Sequence, residues 1–110
     1  MQVAARLRTI DVSHNKLETL PSLIGELKML RQLHANNNCI ARLPDEIGCC
    51  KKLEALSLQC NILTNIPESI AALSALRTVE LSNNRLTSMP AALCNLVAVE
   101  VNALLCALLL

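Results

Sequence analysis

The sequence contains no Phe, no Tyr and no Trp, so any core it forms is aliphatic and built largely from leucine. The missing aromatics also remove the stacking platforms on which single-stranded nucleic acid is held. Charge of one sign is missing too: 10 Lys and Arg against 9 Asp and Glu leave a formal net charge of +1. Such a balance makes no electrostatic case for nucleic acid or an anionic membrane as partner. The first residues, Met1 to Arg6, have no apolar run, so no signal peptide is expected. The apolar run Ala103 to Leu110 is eight residues long. A transmembrane helix needs about 20, so no integral membrane span is expected. The six Cys, at 39, 49, 50, 60, 94 and 106, form no C-x-x-C pair. They read as free thiols, which places the chain in a reducing, cytoplasmic setting.

What is present is a period. Pro21, Pro44, Pro67 and Pro90 are 23 residues apart, and so are Asn15, Asn38, Asn61 and Asn84. Four units follow, at 7–29, 30–52, 53–75 and 76–98, each close to L-x-x-L-x-L-x-x-N-x-L-x-x-L-P-x-x-I-x-x-L-x-x. Ala35 stands where the pattern has a strand Leu, and Cys50 where it has a later Leu. Residues 1–6 form a lead-in without a cap, and 99–110 a degenerate fifth repeat or an apolar tail. Fixed periods of this length are the mark of solenoids.

The spacing has a physical logic. L-x-L has period 2, so it predicts a short strand with alternate residues inward and a parallel sheet formed between units. The Asn amide both donates and accepts, so Asn15, Asn38, Asn61 and Asn84 are expected to stack as a ladder satisfying the turn that leaves each strand. Pro fixes the return path. Ile24, Leu27 and Leu30 are three apart, which suits a 3₁₀ or short helical turn on the convex side. Small residues follow the Ile position in each unit, at Gly25, Gly48, Ala71 and Cys94, as close packing between turns requires.

This pattern resembles the intracellular leucine-rich-repeat family with 23-residue L-P-x-x-I units, over residues 7 to 98. The resemblance implies an α/β fold: a right-handed, horseshoe-shaped solenoid with a concave parallel β-sheet and short convex turns. It further implies no catalytic domain, no cofactor, and a scaffold or adaptor role in signalling. The missing caps suggest a truncated or spliced form of a longer solenoid, and a non-functional or dominant-negative fragment is the alternative to a binding module.

The outward strand positions form four rows on the concave face. They are Thr9, Gln32, Ala55 and Thr78; then Asp11, His34, Ser57 and Glu80; then Ser13, Asn36, Gln59 and Ser82; then His14, Asn37, Cys60 and Asn83. From these the expected partner footprint is Asp11, Ser13, His14, Gln32, His34, Asn36, Asn37, Ser57, Gln59, Thr78, Glu80 and Ser82. The other reading is a solvated sheet face whose polarity only prevents aggregation. Four strands about 4.8 Å apart, read over four or five residues, offer on the order of 300 Å². A standard interface buries about 800 Å² per partner, so the rims or further repeats must add to it. An exposed end strand also invites edge-to-edge pairing with another copy.

Three chemistries deserve weighing. Asp11, His34 and Ser57 share a row and suggest a hydrolase triad. An open sheet offers no pocket or oxyanion hole, so no catalytic residue is assigned. His14 and His34 lie about 11 Å apart by strand geometry, and no metal site is assigned. Cys60 is the one thiol expected on the concave face, and it reads as inert filler because no Lys, Arg or second His adjoins it.

Overall fold

A computed structural model of the chain describes residues 6–86. The lead-in 1–5, the convex turn expected around Pro90 and Cys94, and the fifth strand or tail expected over 99–110 lie outside the described residues. Four strands of three residues each, β1 (Thr9–Asp11), β2 (Gln32–His34), β3 (Ala55–Ser57) and β4 (Thr78–Glu80), pair in parallel in the order β1-β2-β3-β4. Thr9 lies opposite Gln32, Gln32 opposite Ala55, and Ala55 opposite Thr78. The parallel bonding continues past the strands: Val12 N donates to His34 O at 2.8 Å and His14 N to Asn36 O at 3.0 Å. The central residues Leu33, Leu56 and Val79 are buried, and Ile10 of the end strand packs partly against them.

The chain returns through 3₁₀ turns at Ser22–Glu26, Asp45–Cys49 and Glu68–Ala72. Pro21, Pro44 and Pro67 precede them with φ of −70°, −69° and −64°. The pyrrolidine ring holds this φ without a cost at the turn, and no ladder donor is lost because none is needed there. Each Pro carbonyl accepts the N–H of the Ile three residues on, at 3.1 to 3.2 Å. A 3₁₀ turn aligns residues i and i+3, so Ile47 and Cys50, like Ile70 and Leu73, reach the core together. Cys50 thus fills its Leu position fully buried, and its thiol donates to Ile24 O at 3.1 Å.

Small residues in the turns are a steric demand. A Cβ on Gly25 would stand 2.9 Å from Glu46 O, and one on Gly48 would stand 2.6 Å from Ser69 O. Ser69 Oγ in turn donates to Asp45 O at 2.7 Å, bonding one turn to the one before it.

The asparagines close the other corner. Asn61, buried to 6% exposure, accepts from Ile40 N at 3.0 Å and donates from Nδ2 to Leu58 O at 2.9 Å and Ala35 O at 3.0 Å. Asn38 and Asn84 repeat the arrangement, taking the N–H of Leu17 and of Leu63. Asn15 is exposed and, among the described residues, bonds only within its own turn, to Val12 O and Ser13 O. One residue before each Asn, the backbone enters the left-handed region: His14, Asn37, Cys60 and Asn83 have φ between 57° and 61°.

Two stability predictions follow from these contacts. Asn61→Ala leaves the buried Ile40 N–H unpaired and removes one of the two amide donors at each of Ala35 O and Leu58 O; it should cost about 2–3 kcal/mol, whereas Asn15→Ala should cost under about 1 kcal/mol. Urea unfolding followed by far-UV circular dichroism measures both, and equal costs would refute a cross-repeat role for Asn61. Gly48→Ala should cost about 1–3 kcal/mol through the clash with Ser69, measured in the same way.

Candidate functional site

The register sets polar side chains side by side on the concave face. In the first row Thr9 and Gln32 are exposed, and Ala55 and Thr78 are half-buried. In the second, Asp11 and Glu80 are exposed, His34 is half-buried, and Ser57 is 8% exposed. All four residues of the third row, Ser13, Asn36, Gln59 and Ser82, are half-buried. The centre of the face is therefore a partly enclosed polar patch rather than a fully solvated sheet. Ser13 Oγ donates to Asn36 Oδ1 at 2.5 Å within it. Gln59 Oε1 is buried, and among the described residues no donor reaches it.

The fourth row differs from the sequence expectation of a plain outward row. Its members occupy the left-handed corner, which an Asn adopts readily and a His or Cys adopts at some cost. His14, Asn37 and Asn83 are exposed there, and Cys60 is half-buried with Asn83 Nδ2 donating to its Sγ at 3.7 Å. The signal for this corner was present in the sequence, since Asn fills two of its four positions.

Asp11, His34 and Ser57 do come together, but not as a triad. His34 Nδ1 lies 3.2 Å from Ser57 Oγ, and its Nε2 lies 3.4 Å from Gln32 Oε1, an amide where a triad has a carboxylate. The Asp11 carboxylate instead accepts from Ser13 N at 3.0 Å. That bond holds the Asp11 pKa below its ordinary value. Backbone donors near Ser57 are consumed by the sheet: Leu58 N bonds Glu80 O and Ala35 N bonds Ser57 O. The Leu58 N–H is therefore not available to hold an oxyanion beside Ser57. Among the described residues, no three His, Cys, Asp or Glu side chains gather as metal ligands, and no helix is long and apolar enough to cross a membrane.

Leucine-rich-repeat family models match residues 6–27, 28–72 and 51–101. The chain is a leucine-rich-repeat protein. It is similar to the solved structure of a leucine-rich-repeat protein of Leptospira interrogans, with a TM-score of 0.82 and 36% identity. The match covers 86% of this chain and 24% of that one, so the chain spans about a quarter of the solenoid it resembles. No curated protein matches the chain. Leucine-rich repeats are in general protein-binding modules that work through extended concave surfaces, and no catalytic family is among the matches.

The thiols of this leucine-rich-repeat protein differ in reactivity. Burial pushes the Cys50 pKa up, with the neighbouring Cys49 adding to the effect, while Cys39 and Cys49 are exposed. Iodoacetamide at neutral pH, with peptides mapped by mass spectrometry, should label Cys39 and Cys49 at least about tenfold faster than Cys50. Equal labelling in the folded protein would contradict the buried placement of Cys50.

Proposed function

We propose that the chain is a cytosolic scaffold or adaptor that binds a protein partner through the concave patch around His34, Asn36, Ser57 and Gln59. The observation that carries this reading is Gln59 Oε1, a buried acceptor with no donor among the described residues. An unpaired buried acceptor costs about 1–3 kcal/mol, a cost that a donor brought by a partner removes. The rest of the footprint, from Asp11, Ser13, His14 and Gln32 to Asn37, Thr78, Glu80 and Ser82, surrounds this point. Among the described residues Cys39, Cys49, Cys50 and Cys60 are free thiols, which supports a reducing compartment. Within the family, the runs Leu7 to Asp11, Leu43 to Ile47 and Lys51 to Glu54 resemble the small cytosolic leucine-rich repeat-containing protein fifty-seven. Pairing between copies would use β1, whose single strand neighbour among the described residues is β2.

The test uses the chain as bait in a cytosolic extract, beside His34→Ala/Gln59→Ala and a control, Glu18→Ala, placed off the sheet. The double variant should lose at least about tenfold of the captured partner, as removal of central contacts does, while the control retains it. Equal capture by the double variant and the wild type would remove the concave face from the reading.

A further inference from the structure

The net charge of +1 conceals a strong segregation. The segments that lead from each convex turn into the next strand, residues 7–8, 28–31, 51–54 and 74–77, hold six basic side chains and one acidic one, a net of +5. The remainder of the chain therefore carries a net of −4. All seven of these charged residues are exposed. The fold gathers them on one margin of the sheet. Arg31 N donates to Arg8 O at 2.8 Å, Glu54 N to Arg31 O at 2.7 Å, and Arg77 N to Glu54 O at 2.8 Å. Arg8, Arg31, Glu54 and Arg77 are thus consecutive rungs, about 14 Å from end to end at ordinary strand spacing. Lys28, Lys51 and Lys52 stand just before these rungs, and Lys52 Nζ reaches back to Met29 Sδ of the preceding repeat at 3.5 Å. Each rung is followed directly by the first concave row, so the margin and the sheet face are continuous.

We propose that this margin is a docking surface for an acidic segment of a protein partner, its Asp and Glu carboxylates seated on the guanidinium and ammonium groups. The inference rests on the concave face being the interaction surface, which the margin extends. Arg forks match carboxylate geometry and are the stronger anchors, and Lys adds point charge. Glu54 selects the class of partner. A phosphodiester backbone or an anionic lipid surface carries uniform negative charge and meets Glu54 with repulsion in the middle of the row. A polypeptide places a neutral or basic residue opposite Glu54 and carboxylates on either side. With no aromatic residue in the chain, nucleobases have nothing to stack on.

The experiment measures fluorescence anisotropy of a fluorescein-labelled peptide of alternating Glu and Ser against the full chain. A single-stranded oligonucleotide of equal charge and vesicles of phosphatidylcholine and phosphatidylserine run in parallel. The peptide should bind, and its affinity should fall at least about tenfold between about 50 mM and about 200 mM NaCl. Arg31→Glu/Lys52→Glu should lower affinity by about tenfold or more, and Arg42→Glu, away from the margin, should not. Oligonucleotide and vesicles should bind at least about tenfold more weakly than the peptide and gain on Glu54→Arg. No peptide binding at low salt, equal affinity of the charge-reversed variant, or tighter binding of oligonucleotide or vesicles would overturn the proposal. So would sedimentation showing copies of the chain held together through the margin and released by charge reversal. The peptide assay reads the margin directly and partner capture reads the concave patch, so an error about the patch appears in partner capture and an error about the margin appears here.

Discussion

The amide of the buried asparagine is the interaction on which this solenoid depends. Asn38, Asn61 and Asn84 each accept a backbone N–H from the preceding repeat and donate to carbonyls of their own repeat and of that preceding one. No apolar residue of the same size can do this, because the corner leaves groups of both kinds unpaired. Remove the amide and the strand exits lose their internal closure and the side-chain part of their tie to the neighbouring repeat, leaving only backbone bonds such as Ile62 N to Ile40 O. The strands themselves are three residues long, too short to hold the sheet by their own ladders. Register is therefore held at the corners as much as along the strands.

On the opposite side the turns must approach closely, and the two glycines allow it. The Ser69 hydroxyl bond to Asp45 O shows how close that approach is. A tight convex side and a four-stranded concave side together leave the middle of the concave face partly enclosed. That enclosure makes Ser57 a nearly buried hydroxyl and leaves Gln59 with an acceptor that nothing in the described chain satisfies. The same ordering explains why Asp11, His34 and Ser57 are neighbours without being a catalytic machine. They are brought together by a fixed period, and the N–H next to Ser57, that of Leu58, is spent on the sheet.

Much of the fold was legible in the sequence because every level of it repeats. A period-2 segment, an Asn, a Pro and a three-residue apolar spacing recur at the same offset, so local preference and global register agree. The neighbours across the sheet were readable for the same reason: Thr9 meets Gln32 and Asp11 meets His34 because both pairs are one period apart. The left-handed corner at His14 and Cys60 was harder to see, because neither residue type signals that conformation as Asn37 and Asn83 do. The depth of Ser57 was not legible at all, since an outward position on a flat sheet reads as exposed and curvature is a property of the stacked repeats.

The sequence by itself determined that the chain is a leucine-rich-repeat solenoid with an aliphatic core, since a covalent period imposes the same burial choices on every unit. Tertiary structure alone decided which polar atoms are enclosed and which charges share a surface. Net charge sums over the whole chain and comes to almost nothing. A partner meets only one face, and there Arg8, Arg31 and Arg77, separated along the chain, stand on neighbouring rungs because backbone hydrogen bonds stack the repeats that carry them.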